Sequence, residues 1–170
     1  DFVVRGWGGA SWVHHSTKEF DATYNPGYAV GVACGGTWFK LLRTEIEVLR
    51  FHNTLNHVKV DSVSSKLKGD LTATAGLFNV EIHCPLTLSR LCISPYFGGG
   101  VGGGYAKTKL HAHGLPKMKD SQHHSVYQVF GGISTLICPL KVIDLSFEIE
   151  GRFLGFDKHL YAGMVVGGLT

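Results

Sequence analysis

Apolar and polar residues alternate with period two along most of the chain, and the three-and-four spacing of helices is nearly absent. The clearest case is 141–154, KVIDLSFEIEGRFL. Ile143, Leu145, Phe147, Ile149 and Phe153 fall on one face of a strand, and Asp144, Ser146, Glu148, Glu150 and Arg152 on the other. The stretch LLRTEIEVL repeats the pattern, with Arg43, Glu45 and Glu47 opposite Leu42, Ile46 and Val48. Eight strands are predicted on this basis, at 2–14, 27–36, 39–52, 69–83, 91–106, 125–138, 141–154 and 159–169. In a water-soluble sheet protein the charged face would meet solvent and the apolar face a core. In an outer-membrane barrel the apolar face meets lipid and the charges meet each other inside. Periodicity alone does not choose between the two.

Segment lengths and connections separate them. The turns at 36–38, 84–90 and 139–140 are short, whereas 15–26, 53–68 and 107–124 are long and polar; a short loop at 155–158 breaks the alternation. Short turns at one end and long loops at the other mark an up-and-down membrane barrel, and strands of ten or more residues suit a tilted crossing. The expected architecture is therefore all-β, a single domain over 1–170 forming an eight-stranded antiparallel transmembrane barrel. Parity puts Trp12, Tyr28, Tyr105, Tyr127 and Phe153 outward at the long-loop ends of their strands, as an interfacial aromatic girdle requires. Parity also turns Arg5, Arg43, Glu45, Glu47, Asp144, Glu148, Glu150 and Arg152 inward. Charges enclosed in a narrow lumen must be paired, so these eight are expected to form a plug.

Composition fits this picture. Charged residues are only 17% of the 170, glycine reaches 23, and the net charge of +3 with no dense Lys/Arg patch gives no sign of nucleic acid as a partner. No apolar run approaches the ~20 residues of a membrane helix. Asp1 leads straight into the strand-like FVV, as a mature chain does after leader cleavage.

Residues 94–106, SPYFGGGVGGGYA, contain a G-x-G-x-x-G pattern, but neither a following helix nor the acidic residue of a dinucleotide site accompanies it. The chain has no GK[ST] either. The stretch instead reads as barrel wall, in which inward Gly98, Gly100, Gly102 and Gly104 leave room for long charged side chains from facing strands.

Four cysteines (Cys34, Cys84, Cys92 and Cys138) show no zinc spacing and lie near the short-turn rim. Cys92 and Cys138 share inward parity on neighbouring strands, which permits a disulfide in an oxidising periplasm; the other reading is free thiols used as small apolar residues. Nine of the ten histidines fall in or beside the long loops without carboxylates or cysteines at ligand spacing, so no metal and no cofactor is expected. Ser146, Glu148 and His159 occupy different levels of the barrel, which argues against a catalytic triad.

The succession GYAVGVACG, LLRTEIEVL, SPYFGGGVGGGYA, VYQVFGGIS and YAGMVVGG resembles the opacity-type and rickettsial surface-antigen family of eight-stranded outer-membrane proteins. SPYFGGGVG, with Tyr96, and YQVFGGIS, with Gln128 and Gly132, carry most of it. The chain departs from that pattern at its end, GGLT, which lacks the usual terminal aromatic, and in its four cysteines. The resemblance implies an OmpA-like barrel in a Gram-negative outer membrane, without enzyme activity, whose loops meet host molecules as a surface antigen or adhesin. Two other classes stay open from sequence: a soluble lipocalin-like carrier, which would have an apolar interior, and a membrane-embedded lipid-modifying enzyme. The two longest loops hold Lys59, Lys66, Lys68, Lys107, Lys109, Lys117 and Lys119 against Asp61 and Asp120. A basic crown of this kind is expected to attract lipopolysaccharide headgroups, sulfated host-surface glycans, acidic host proteins or other envelope proteins. The 107–119 lysines are its densest part.

Overall fold

The computed structural model describes the backbone of residues 1–16, 20–39, 41–60, 63–65, 68–88, 91–111, 118–139, 144–156 and 160–170; within these, side chains are described except in 15–23, 55–68, 87–91, 110–122 and 138–143. Eight long strands build a wall: β1 (Phe2–Ser16), β3 (Gly27–Trp38), β4 (Leu42–Val60), β6 (Lys68–His83), β8 (Leu91–His111), β9 (Met118–Pro139), β10 (Asp144–Phe156) and β11 (Leu160–Leu169). Three short strands attach to it: β2 (Phe20–Tyr24), β5 (Val63–Ser65) and β7 (Leu86–Leu88). Each wall strand pairs antiparallel with its sequence neighbour in the wall, and β1 pairs with β11, so the sheet closes on itself. Closure leaves no unpaired edge, which an open sheet could not tolerate in lipid.

The stagger of the barrel follows from the register. Cross-strand partners lead from Ser11 through Met164, Arg152, Phe130, Gly98, Glu81, Arg43 and Thr37 back to β1 at Asp1, ten residues from the start. A shear of this size on eight strands goes with a strong tilt, of about 35–45°. β2 continues the line of β3 between β1 and β4, and the strand is interrupted at Asn25 and Pro26. Proline has no N–H to give the ladder, and the Asn25 N–H goes to the Thr54 carbonyl at 2.8 Å instead.

Exposure alternates along most of the strands, with breaks at Leu154–Phe156 and at the glycines after Val101. Val32 and Ile46 are 63% exposed, while their neighbours Ala33 and Glu45 are 4% and 1%. Large apolar residues therefore cover the outside, and the interior divides into two layers. At the end with the short turns it holds arginines and glutamates; at the other end it holds Leu49, Phe51, Leu71, Leu154 and Phe156, with Phe51 and Phe156 packed edge to face at 5.6 Å.

Two sequence expectations change in the structure. Pairing does not stop where the chain turns polar: β4 runs to Val60 with β5 folded back on it, and β8 and β9 extend to His111 and from Met118. Polarity marks where lipid would end, whereas backbone pairing continues wherever a partner strand is present. The turn at 84–90 likewise contains β7, paired with the start of β8.

Candidate functional site

The charged layer is built around Arg5, which reaches from β1 across the lumen. Its Nη2 lies 2.7 Å from Glu45 Oε2 and 3.1 Å from Glu81 Oε1, and its Nη1 lies 3.2 Å from Glu150 Oε2 and 3.4 Å from Glu148 Oε2. None of the strands carrying these partners flanks β1. Arg43 pairs with Glu45 and, through Nη1, with Glu148 at 3.2 Å. Arg152 pairs with Glu47 and Glu150, and its guanidinium lies 4.2 Å from the Trp7 ring centroid and 5.3 Å from that of Phe130. Cations are held over aromatic faces in this way when water is excluded.

Neutral donors complete the set. Glu47 accepts the Trp7 indole N–H at 2.6 Å, the Asn79 amide at 2.8 Å and the Gln128 amide at 2.7 Å. The Tyr96 hydroxyl donates to Glu150 at 2.9 Å. His83, stacked on the Tyr96 ring, places Nε2 3.1 Å from Glu81. Three guanidiniums and five carboxylates are thus buried together. A cavity between Arg5, Tyr96, Glu148, Glu150 and Arg152 measures about 10 Å³, barely room for a single water.

Seven of the eight charges expected in the lumen meet there; Asp144 does not and is exposed. It shares the parity of Glu148, but a register shift on β9 at Leu145/Ser146 and its place at the first residue of β10 leave it below the enclosed lumen. Glu81, Trp7, Asn79, Tyr96 and Gln128 were missed as members of the network. Parity could have found Glu81 and Asn79, because Phe78, Val80 and Ile82 beside them are plainly outward.

The glycines of β8 make room for other side chains than the arginines and glutamates expected there. A Cβ at Gly98 would come within 2.8 Å of the Phe130 ring, one at Gly100 would overlap the Asn79 amide, and one at Gly104 would lie 2.6 Å from Val126 and 2.8 Å from Phe156. The space left by Gly98, Gly100 and Gly104 is filled by these side chains, from the flanking β6 and β9 and, for Phe156, from β10, and not by arginine and glutamate.

Of the two cysteines expected to be able to pair, Cys92 is exposed with a free thiol. It lies opposite Thr87 in the β7–β8 hairpin. Past the lower mouth of the barrel, inward parity no longer means enclosure. The Cys138 side chain lies outside the described residues.

On the outer wall, Trp12, Tyr28, Tyr127 and Phe153 are 47%, 55%, 42% and 44% exposed, and Tyr105 is half-buried against His123 at 5.6 Å. Trp12 and Phe153 stand on either side of Gly163 in one row across β1, β11 and β10. A second aromatic group at the opposite rim, Phe2, Trp38 and Phe39, was not foreseen from sequence. Phe39 adopts a positive φ of 52° in the β3–β4 turn, a conformation costly for a residue with a Cβ. Of the loop lysines, Lys107 is half-buried and Lys109 exposed at the outer end of β8; the side chains of Lys117 and Lys119 lie outside the described residues.

The closed eight-stranded wall has counterparts among solved structures. The chain aligns with Neisserial surface protein A at a TM-score of 0.62 and 14% identity, over 99% of this chain and 97% of that one. The fold is that of an eight-stranded outer-membrane barrel. Ail, the attachment invasion locus protein of Yersinia pestis, solved in complex with the heparin analogue sucrose octasulfate, aligns at 0.55 and 11% identity over 98% and 97%. The outer membrane protein OprG of Pseudomonas aeruginosa aligns at 0.50 and 11% over 98% and 94%. No family model matches the chain, and no curated protein does.

Proposed function

We propose that the chain is a non-enzymatic surface barrel of a Gram-negative outer membrane, a cell-envelope antigen or adhesin that acts through the loops and strand extensions at its outer end. The observation that carries this reading is the inversion of the molecule: arginines and glutamates are enclosed while Val32, Ile46, Phe97, Val101 and their like face outward. In water such a surface would aggregate; in lipid it is the favourable one. The aromatic rings at both rims suit the two membrane interfaces. The likeness to three outer-membrane proteins and the opacity-like motifs around Tyr96 and Gln128 support the same placement. Glu148, the one carboxylate of the Ser146, Glu148 and His159 combination weighed from sequence, is taken up by Arg5 and Arg43.

The loop lysines are the acting groups in this reading, and their partners are polyanions: lipopolysaccharide headgroups, sulfated host glycans, or acidic proteins of the host or envelope. Ail's complex with a sulfated sugar lends this weight. Sucrose octasulfate titrated into the detergent-folded protein tests it. Binding should weaken sharply from low to physiological salt and fade when Lys107, Lys109, Lys117 and Lys119 become glutamine. Affinity indifferent to both changes would refute the lysine crown.

A further inference from the structure

One flank of the outer wall differs from the rest of the apolar band. The register places Arg50, Thr74, Tyr105 and His123 in a single outward row across β4, β6, β8 and β9. In the next row down, Val48, Gly76, Gly103 and Ser125 stand side by side. Below that come Ile46, Phe78 and Val101. The two glycines of the middle row remove side chains where the neighbouring rows have them, and the result is an open groove of about 810 Å³. Nothing lies within 4 Å of where a Cβ would stand at Gly76 or Gly103, so the gap is not filled from elsewhere in the wall.

Cations rim the groove on its outer side. Arg50 is exposed, and Lys107 is outward in the row above, two strands away. Two strand spacings and one row together make about 12 Å, a distance that long Arg and Lys side chains close around one bound anion. Among the described residues neither makes an ion pair, although Asp70 lies on the strand between them. Arg50 stands one row below Tyr28 and His52, hence at headgroup depth rather than beyond it. An arginine directed at the lipid boundary with no carboxylate partner among the described residues calls for an anion from the lipid phase.

We propose that this groove binds one acylated, phosphorylated lipid of the outer leaflet. Arg50 and Lys107 hold the phosphate, with Tyr105 and His123 beside it, and one acyl chain lies over Gly76 and Gly103 against Val48. A second copy of the chain fits less well, because a two-fold contact through this face would set the same arginine and lysine against themselves. The site rests on the membrane placement proposed above.

The test is native mass spectrometry of the detergent-folded protein titrated with diphosphoryl lipid A. Heat-dependent gel mobility reports the fold of every variant. One lipid should bind per barrel. Binding should weaken by roughly tenfold or more in the double variant Arg50→Gln/Lys107→Gln, and likewise in Gly76→Leu/Gly103→Leu, whose Cβ atoms would meet nothing within 4 Å and whose side chains project into the groove. Inorganic phosphate at millimolar concentration should not displace the lipid. The proposal is overturned if both double variants bind as the parent does, if phosphate alone competes, or if the parent is a dimer that Gly76→Leu/Gly103→Leu dissociates. A chain that stays folded and monomeric without detergent would instead refute the membrane placement, before any lipid is added.

Discussion

The two halves of the lumen fill the same barrel by different chemistry. Toward the outer end, Leu49, Phe51, Leu71, Leu154 and Phe156 pack as the core of a water-soluble protein does. Toward the short-turn end, three arginines and five glutamates occupy the same cross-section of wall. The apolar half demonstrates that eight strands close without buried charge, so filling is not the reason for the charged half. Buried ion pairs are weak contributors to stability when compared with well-packed hydrocarbon. What the charged half adds is connection. Arg5 on β1 is tied to β4, β6 and β10, none of which is its neighbour, whereas the contacts of Leu49 or Phe51 do not depend on meeting one particular atom. A one-residue slip of β1 would turn Arg5 out to lipid and bring Val4 or Gly6 in. On this account the charged half sets register and the apolar half supplies volume.

Breaking the hub should have the largest effect. Arg5→Met leaves Glu45, Glu81, Glu148 and Glu150 short of a cation and should cost ~3–5 kcal/mol in urea unfolding from lipid vesicles. A loss below ~1 kcal/mol, the range of exposed pairs, would show that the cluster is solvated and does not fix register.

The apolar half should respond differently to a change of similar scale. Leu49→Met keeps the volume and demands no particular partner, so its cost should stay below ~1.5 kcal/mol by the same measurement. A penalty equal to that of Arg5→Met would erase the distinction between the halves.

Much of this was legible along the chain because a strand reports its faces every second residue. The charges of 42–50 and 144–152 were placed correctly wherever the wall encloses them. Asp144 and Cys92 were misplaced for one shared reason: parity gives a direction and not an enclosure, and both residues sit beyond the lower mouth. Glu81 was passed over because it is the single acid on an inward face otherwise made of Leu71, Ala73, Ala75, Leu77 and Asn79, although its parity was readable. Arg50 was passed over because it breaks the apolar face of LLRTEIEVLR at its very end. The ends of the strands were hidden for a different reason. Pairing beyond the membrane boundary needs no apolar residue, so the hydropathy pattern carries no trace of it.

The central claim is that the outward apolar face lies in lipid, and Ile46→Arg tests it most directly. Ile46 is 63% exposed and faces Cys34, on a strand whose aromatic residues Trp38 and Tyr28 stand toward the two rims. Unfolding from bilayers should show a loss of ~2–4 kcal/mol, the cost of an arginine near the middle of the hydrocarbon. A change near zero would mean that Ile46 faces water and that the inside-out reading of the barrel is wrong.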